Sequence, residues 1–295
     1  MKVTNRMDLP AALVNAVSVE RHNKEGSYSA TTLLKGVKET LLQERHWDEM
    51  TTDAADSIWA VWGTAVHAIF EQQQDNNFKE EYFETEVNGL KITGRVDSYD
   101  LNSEILYDFK TASVYKILKR EFKDWHRQGL ICAWLMRKAG LNVKRCIFIA
   151  LLKDHSKTKA KTDATYPQSP TFTYTFDVTE EDLHDIEDFI TQKVNAIKYN
   201  HDMPDDEISE CTAEERWCDP PKYAVMKKGR KSAVKLFDDE NMAVSFAKLQ
   251  PEQEKIYLQE RPPVSRKCSD YCACHEFCNF WKQEQQEQET ASEQV

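Results

Sequence analysis

The stretch ILYDFKTASVYK, residues 105–116, decides the fold of the first half of the chain. It starts as an apolar run and then carries Asp108 and Lys110. Upstream, KITGRVDSYD, residues 91–100, is a similar run with Asp97 near its end. Alternating residues of a strand share a face, so Asp108 and Lys110 point the same way. Such a pattern fits ordinary charges on a surface hairpin, or two walls of a metal site.

The surrounding pattern predicts a three-stranded meander within a mixed α/β core. Asn88-Gly89 is a strong hairpin signal, because both turn residues must tolerate positive φ. Thr179 and Asp182 form a capping-box pattern at the start of a long helix. We predict meander strands at 82–87, 90–99 and 105–110, further strands at 144–153 and 171–178, and helices near 29–47, 53–74, 125–138 and 180–199.

Length and composition allow one enlarged α/β domain or two small ones, since the chain has 295 residues of which 40% are hydrophobic. The sequence lacks an uninterrupted apolar run long enough for a membrane span and an apolar leader, which predicts a cytoplasmic protein. We expect an N-terminal helical region at 1–50, a core at 51–200, an accessory segment with a small β-turn-β unit and cysteines at 201–281, and a disordered tail at 282–295.

Charge is unevenly distributed along a chain whose net charge is −11. Between residues 110 and 161 there are fourteen Lys and Arg but only three Asp and Glu. Such a sector fits a polyanion bound at one place, and equally a solvated helix face and loop. The candidate nucleic-acid-binding residues lie on two turns: Lys153, Lys157, Lys159 and Lys161, then Lys227, Lys228 and Arg230.

A helix before the meander completes the candidate site. In GTAVHAIFE, Gly63, His67 and Glu71 follow one another at spacings of four, which places them in one row. Gly63 would permit close approach of a neighbouring backbone, with His67 and Glu71 facing the aspartates. Two carboxylates on adjacent strands suit a hard divalent cation, and a nearby lysine can hold water or steady phosphoryl charge.

These residues together resemble the PD-(D/E)xK nuclease superfamily in its RecB-type branch, which includes the CRISPR adaptation nucleases and many phage exonucleases. GxxxHxxxE, GRVD and DFKT carry the resemblance over residues 59–134, and RQGLICAW resembles the glutamine motif of the branch. Val96 stands where the superfamily name has proline, and Cys132 where the glutamine motif usually has tyrosine. The resemblance implies a restriction-endonuclease-like mixed sheet flanked by helices.

The resemblance also implies a role for each residue. It implies Mg²⁺ or Mn²⁺ bound by Asp97, Asp108, His67 and the backbone carbonyl of Phe109, with Glu71 as an additional carboxylate, Lys110 as the catalytic lysine and Gln128 near the lysine and the DNA. The implied activity is a DNA exonuclease that processes ends or single strands, with a phage recombinase or single-strand annealing protein as partner. The alternatives are a structure-specific or nicking endonuclease, and a non-cleaving DNA-binding or assembly factor on a nuclease scaffold.

Four cysteines crowd into CSDYCACHEFC, residues 268–278. Several thiolates on one short loop suit zinc or an iron–sulfur cluster. The RecB-type branch often carries a [4Fe–4S] cluster, but its distant cysteine usually precedes the nuclease motifs, and no cysteine precedes Cys132 here. We predict Cys211, Cys268, Cys272 and Cys278 as ligands of a C-terminal clasp, with Cys274 or Cys218 as alternatives to Cys211. Cys132 and Cys146 are expected to be buried core thiols.

Overall fold

The computed structural model describes residues 1–17, 26–73 and 77–293. Contacts divide the chain into two compact units, Met1–Ser209 and Glu210–Val295. The strands are β1 Lys2–Thr4, β2 Ser27–Ser29, β3 Thr51–Asp53, β4 Phe78–Val87, β5 Leu90–Asp100, β6 Ile105–Ala112, β7 Arg145–Leu152, β8 Thr171–Asp177, β9 Cys218–Asp219, β10 Lys222–Lys227, β11 Lys235–Phe237, β12 Ile256–Arg261 and β13 Val264–Ser265. The α-helices are α1 Ala11–Val17, α2 Ala30–Leu33, α3 Val37–Arg45, α4 Ile58–Glu71, α5 Val114–Lys119, α6 Lys123–Lys138, α7 Lys157–Thr162, α8 Glu180–Asn200, α9 Glu240–Lys248, α10 Arg266–Asp270 and α11 Asn279–Glu293.

The first unit is built on a mixed sheet in the order β2-β5-β6-β7-β8, with β4 also paired to β5. Strands β4, β5 and β6 form the predicted antiparallel meander, while β6 and β7 are parallel. Asn88 and Gly89 have φ values of 48° and 83°, as the hairpin requires. The predicted mixed α/β core flanked by helices is therefore confirmed.

Strand β5 changes partners along its length. It pairs with β4 from end to end, so β2 and β6 must both lie on its other side. Residues 91–93 pair with β2 and residues 98–100 with β6, which leaves residues 94–97 unpaired on that side. We call this gap the strand fork. Asp97 is its last residue.

Helices α6 and α8 supply most of the helical core of this unit. Nine residues of α6 are buried, including Trp125 and Trp134, and α8 buries an apolar row that begins at Leu183. Thr179 and Asp182 form the predicted capping box at the start of α8. Helix α6 matters for the site, because its Gln128 side chain forms a hydrogen bond with Asp108 on β6.

Two helical regions differ from the pattern that the sequence predicts. The predicted helix at 29–47 is two helices, α2 and α3, with an interruption before Val37 where Gly36 is extended. Apolar residues recur at helical spacing along α4, a pattern that predicts a packed face, yet none is buried, and Trp62 and Ile69 are more than half exposed. The reason is that α4 contacts mainly β6 and the short helix α1, so most of its circumference lacks a covering layer.

The N-terminal region and the C-terminal tail also differ from expectation. Residues before 51 contribute β1 and β2 to pairings with β3 and β5, so this region is not purely helical. Strands of three residues give too little periodicity to detect. Helix α11 extends to Glu293 where disorder was expected, since its Glu, Gln and Ala residues are strong helix formers. Residues 294–295 lie outside the described ranges.

The second unit contains a three-stranded antiparallel sheet, β11-β10-β12, and helix α9 packs against this sheet. A small β-turn-β unit was expected in this segment, whereas the third strand β12 was not. The pair β9–β13 brings the segment after Cys211 beside the start of α10. Among the described helices none is both long enough and apolar enough to span a membrane.

Candidate metal centre

Asp97 bridges the strand fork. The ladder between β5 and β6 ends at the pair Ser98 and Tyr107, the residues next to Asp97 and Asp108. Beyond that point the Phe109 N–H donates to Asp97 Oδ2 at 2.7 Å instead of to a backbone carbonyl. The N–H and C=O of one strand residue point to the same side, so the Phe109 carbonyl also faces the fork.

Asp108 and Lys110 form a buried ion pair on β6. Lys110 Nζ lies 2.6 Å from Asp108 Oδ1, and the side chain of Asp108 is 8% exposed. Asp108 Oδ1 makes no hydrogen bond of normal angular geometry, whereas Oδ2 accepts one from Gln128 Nε2 at 3.1 Å. Burial raises the pKa of Asp108 to about 6, although the Lys110 ammonium opposes this shift.

A third element brings His67 to the fork. His67 Nδ1 of α4 lies 3.4 Å from Asp97 Oδ1 and 3.7 Å from Glu80 Oε1. One donor atom from each of His67, Glu80 and Asp97 lies within 4.8 Å of the others. Three separate elements, α4, β4 and β5, therefore converge on a space of metal-ion size.

Glu80 is the site residue that sequence analysis missed. The first meander strand was predicted to begin at Tyr82, and Glu80 then looked like an ordinary charge in FKEEYF. In the structure it lies on β4 across from Asp97, with a left-handed φ of 51°, and the register skips it between the pairs of Lys79 and Glu81. No sequence signal in this chain predicts that conformation.

Glu71, which the sequence placed in the site, is not in this donor group. It is the exposed last residue of α4. Its negative charge contributes to raising the pKa of Glu80, but its carboxylate is not grouped with His67, Glu80 and Asp97. Gly63 also differs from expectation. A methyl group added there would meet only the Thr111 side chain, at an ordinary 3.7 Å, so no neighbouring backbone approaches closely.

Electrostatics at the site follow from crowded carboxylates. The contact with Asp97 raises the pKa of His67 against the opposing effect of burial. Burial and the charge of Asp97 raise the pKa of Glu80. Burial would favour neutral Lys110, but Asp108 and Asp97 outweigh it and raise its pKa, so Lys110 is a cation at neutral pH. The crowded carboxylates of Glu80, Asp97 and Asp108 form a site that suits a divalent cation.

The basic and aromatic candidates fall into separate groups. Lys153, Lys157, Lys159 and Lys161 are exposed around α7 in the first unit. In the second unit, Lys227 forms an ion pair with Glu252, and Arg230 Nε donates to Ser232 Oγ. Lys228 lies on the same turn and is exposed. Trp125 is a core residue, whereas Tyr115 is 52% exposed.

The eight cysteines fall two in the first unit and six in the second. Cys132 and Cys146 are buried in the first unit. Burial, with smaller contributions from the nearby Cys272, Cys211 and Cys278, raises the pKa of Cys268 to about 12. Cys274 Sγ lies 3.5 Å from Cys272 Sγ. The segment after Cys211 is anchored beside Cys268, because the Lys267 N–H donates to the Arg216 carbonyl at 3.0 Å.

No family profile matches the chain, and no curated protein matches it. Solved structures do resemble it. A protein described as SSO0001 has a TM-score of 0.45 at 17% identity, over 65% of this chain and 86% of its own. A phage-related exonuclease from Haemophilus somnus 129PT has a TM-score of 0.37 at 14% identity, over 60% of this chain and 93% of its own. An alkaline exonuclease from Laribacter hongkongensis has a TM-score of 0.36 at 10% identity, over 60% and 90%. Exonucleases are thus among the structural neighbours, as the sequence resemblance led us to expect.

Proposed function

We propose that this protein is a divalent-metal-dependent deoxyribonuclease that hydrolyses phosphodiester bonds. One observation supports this more than any other. The donor group of His67, Glu80 and Asp97 lies beside the buried ion pair of Asp108 and Lys110. Phosphodiester hydrolysis needs both a cation held by carboxylates and a positive group close to the phosphate.

The residues fit a bound cation. Asp97, Asp108 and His67 would hold it, with Glu80 and the Phe109 carbonyl as further donors. Bound there, Mg²⁺ or Mn²⁺ would neutralise phosphate charge and lower the pKa of a water ligand. The imidazole of His67 is a softer donor than Mg²⁺ prefers, which favours Mn²⁺.

Lys110 has the central role among the protein's own groups. As a partly buried cation it donates hydrogen bonds to the attacking water and stabilises the negative charge that develops on the phosphoryl oxygens. The water oxygen attacks phosphorus, the bond from phosphorus to the 3′ oxygen breaks, and that oxygen leaves with a proton. The products are a 3′-hydroxyl and a 5′-phosphate. Gln128 fixes the orientation of Asp108 through its 3.1 Å hydrogen bond.

Of the two modes of cleavage we favour exonuclease action on DNA ends or single strands, because the sequence motifs resemble those of phage exonucleases. A recombinase or single-strand annealing protein that loads onto the remaining strand would be the natural partner. A nicking or structure-specific endonuclease would use the same residues.

Cleavage of end-labelled linear DNA and closed-circular DNA, with Mg²⁺ or Mn²⁺, tests the proposal. We expect the wild type to degrade linear DNA and to spare circles. Asp108→Ala and Lys110→Ala should each lower the rate by about 100-fold or more, the typical effect of removing a group that stabilises transition-state charge. Lys144→Ala is the matched control, since Lys144 pairs with Glu104 on the surface.

Cleavage of closed-circular DNA would show that the protein acts as an endonuclease and not as an exonuclease. If the wild type cleaves neither DNA with any divalent metal, the enzymatic proposal is wrong, and a non-cleaving DNA-binding factor becomes the better explanation.

For the second unit we propose a [4Fe–4S] cluster held by Cys211, Cys268, Cys272 and Cys278, with Cys274 as the substitute ligand and zinc as the alternative. Tetrahedral zinc with Zn–S bonds of about 2.3 Å would need sulfurs about 3.8 Å apart. Within the described residues, no three cysteine sulfurs lie within 4.8 Å of one another. The preference for the cluster comes from the resemblance to the RecB-type branch, and the proximity of Cys211, Cys272 and Cys278 to Cys268 supports a site of either kind.

A further inference from the structure

The outer face of α4 presents large aromatic side chains to solvent beside the candidate metal centre. Trp59 is 55% exposed and Trp62 is 53% exposed, and α4 has no buried residue. The same helix carries His67. Clustered exposed apolar surface next to a site marks a binding surface more often than a structural accident.

Trp59 is paired with a cation. Lys153 Nζ lies 4.4 Å from the centroid of the Trp59 ring. The Lys153 N–H donates to the Ala112 carbonyl, so this pair sits at the carboxyl ends of the parallel strands β6 and β7. A second pair lies on α5, just after β6, where Lys119 Nζ is 5.6 Å from the ring centroid of the exposed Tyr115.

The lysines of this region lack acidic partners. Lys153, Lys157, Lys159 and Lys161 are exposed, and within the ranges that the structure describes none of them forms an ion pair. The chain as a whole has 50 acidic and 39 basic residues, so carboxylates are plentiful. Four cations left without them indicate an anionic partner.

The distance to the metal centre suits a DNA strand. Trp59 and His67 are eight residues apart on α4, which corresponds to about 12 Å along the helix axis. That is the length of about three to four nucleotides at about 3.4 Å each. A strand with its phosphate at the metal centre would therefore place bases a few nucleotides away at Trp59.

We propose that Trp59 and Tyr115, each with its own lysine, form a stacking surface for the unpaired bases of a DNA strand. Lys157, Lys159 and Lys161 neutralise the phosphates of that strand. Bases inside a duplex have their faces covered, so only unpaired bases can stack on exposed rings. The substrate is then a single strand or a frayed end. This inference rests on the proposed nuclease function, and it names the form of DNA that the site accepts.

Binding to a fluorescein-labelled oligothymidylate, measured by anisotropy in EDTA, tests the surface without cleavage. In the Asp108→Ala background, we expect Trp59→Ala to weaken single-strand binding about tenfold, the usual effect of losing one stacked base. Trp59→Phe should retain most of the affinity. Binding to a blunt duplex of equal length should change less than about twofold. Tyr199→Ala, which removes a 72% exposed ring elsewhere on the unit, is the control and should bind like its parent.

Unchanged single-strand affinity in a folded Trp59→Ala variant would overturn the inference. So would a dimer of the parent, seen in sedimentation, that Trp59→Ala dissociates without affecting DNA binding, since the face would then cover a second copy. The two proposals fail separately. If the wild type does not cleave DNA but binding depends on Trp59, the nuclease proposal is wrong and the stacking surface is supported. If the wild type cleaves DNA but binding does not depend on Trp59, the stacking surface is wrong and the nuclease proposal is supported.

Discussion

The backbone of Glu80 completes the candidate metal centre. A left-handed φ of 51° is unfavourable for a residue with a side chain, by about 1–2 kcal/mol. From this strained position opposite Asp97, the Glu80 carboxylate lies within reach of His67 and Asp97. Strain at a point where donor atoms converge is typical of a functional site.

Glu80→Gln should weaken metal binding while Glu71→Gln should not. Removing a donor from the converging set is expected to raise the dissociation constant for Mn²⁺ at least about tenfold. Isothermal titration calorimetry without DNA measures it. Glu71→Gln removes the same charge from the exposed end of α4, and we expect a change within about twofold. Equal effects of the two variants would remove Glu80 from the site.

The metal-free protein should lose stability as pH rises through the range set by Asp108. Burial raises the folded-state pKa of this carboxyl from 3.8 to about 6. Between those values the folded protein binds a proton that the unfolded chain releases, so stability falls as pH rises. The raised pKa values of Glu80 and His67 act in the same direction.

Urea unfolding in EDTA at about pH 5 and about pH 7 measures this dependence. We expect Asp108→Asn, which cannot ionise, to reduce the stability difference between the two pH values by about 1 kcal/mol. An identical difference in the parent and the variant would show that Asp108 ionises normally in the folded protein.

At the level of elements, the site depends on the changing partners of β5 and on close packing of α6. The strand fork opens because β2 and β6 share one side of β5 without meeting. Helix α6 then holds Gln128 against Asp108. Gly129 makes this possible, since a methyl group there would lie 2.9 Å from Phe176 and 3.0 Å from Phe148.

Gly129→Ala and Gly63→Ala should change stability in opposite directions. Both are helix-interior glycines, where alanine is intrinsically better by about 1 kcal/mol. At Gly129 the clash with two rings, typically about 1–3 kcal/mol, should outweigh that gain and give a net loss. At Gly63 the 3.7 Å contact with Thr111 is unstrained, so the gain should remain. Chemical denaturation measures both, and a shift of the same sign would contradict the packing described for α6.

At the scale of the whole molecule, the chain contains two compact units with separate chemistry. The first unit contains the carboxylates, the histidine and the lysine. The second contains the six cysteines from Cys211 to Cys278. Cys211 and Cys268 are far apart in sequence, so a metal that joins them closes a long loop and stabilises the folded second unit.

Metal analysis of cysteine variants should locate the cluster. After anaerobic purification, we expect iron and a broad visible absorbance band in the wild type, and loss of both in Cys268→Ala and Cys278→Ala. Cys146→Ala, a buried thiol of the first unit, is the control and should retain the metal. Comparing Cys211→Ala with Cys274→Ala identifies the fourth ligand. Zinc in place of iron would select the alternative, and equal metal content in all variants would exclude a cysteine site.

Features that depend on neighbouring residues were predictable from the sequence. The Asn88-Gly89 turn, the Thr179 capping box and the meander follow from local conformational preferences and short-range hydrogen bonds. The spacing of Asp108 and Lys110 on one strand also fixed their pairing, because alternate residues share a face.

Features that depend on distant segments were not predictable. The strand fork needs β2, which is only three residues long, and the exposure of α4 depends on which elements fail to cover it. Glu80 replaces Glu71 because a left-handed residue on β4 reaches the fork, while the helix row ends outside it. Only the tertiary structure brings His67 of α4, Glu80 of β4 and Asp97 of β5 close enough to bind one ion. The hydrophobic periodicity of a single segment reports only local structure, so it does not predict contacts between these distant segments.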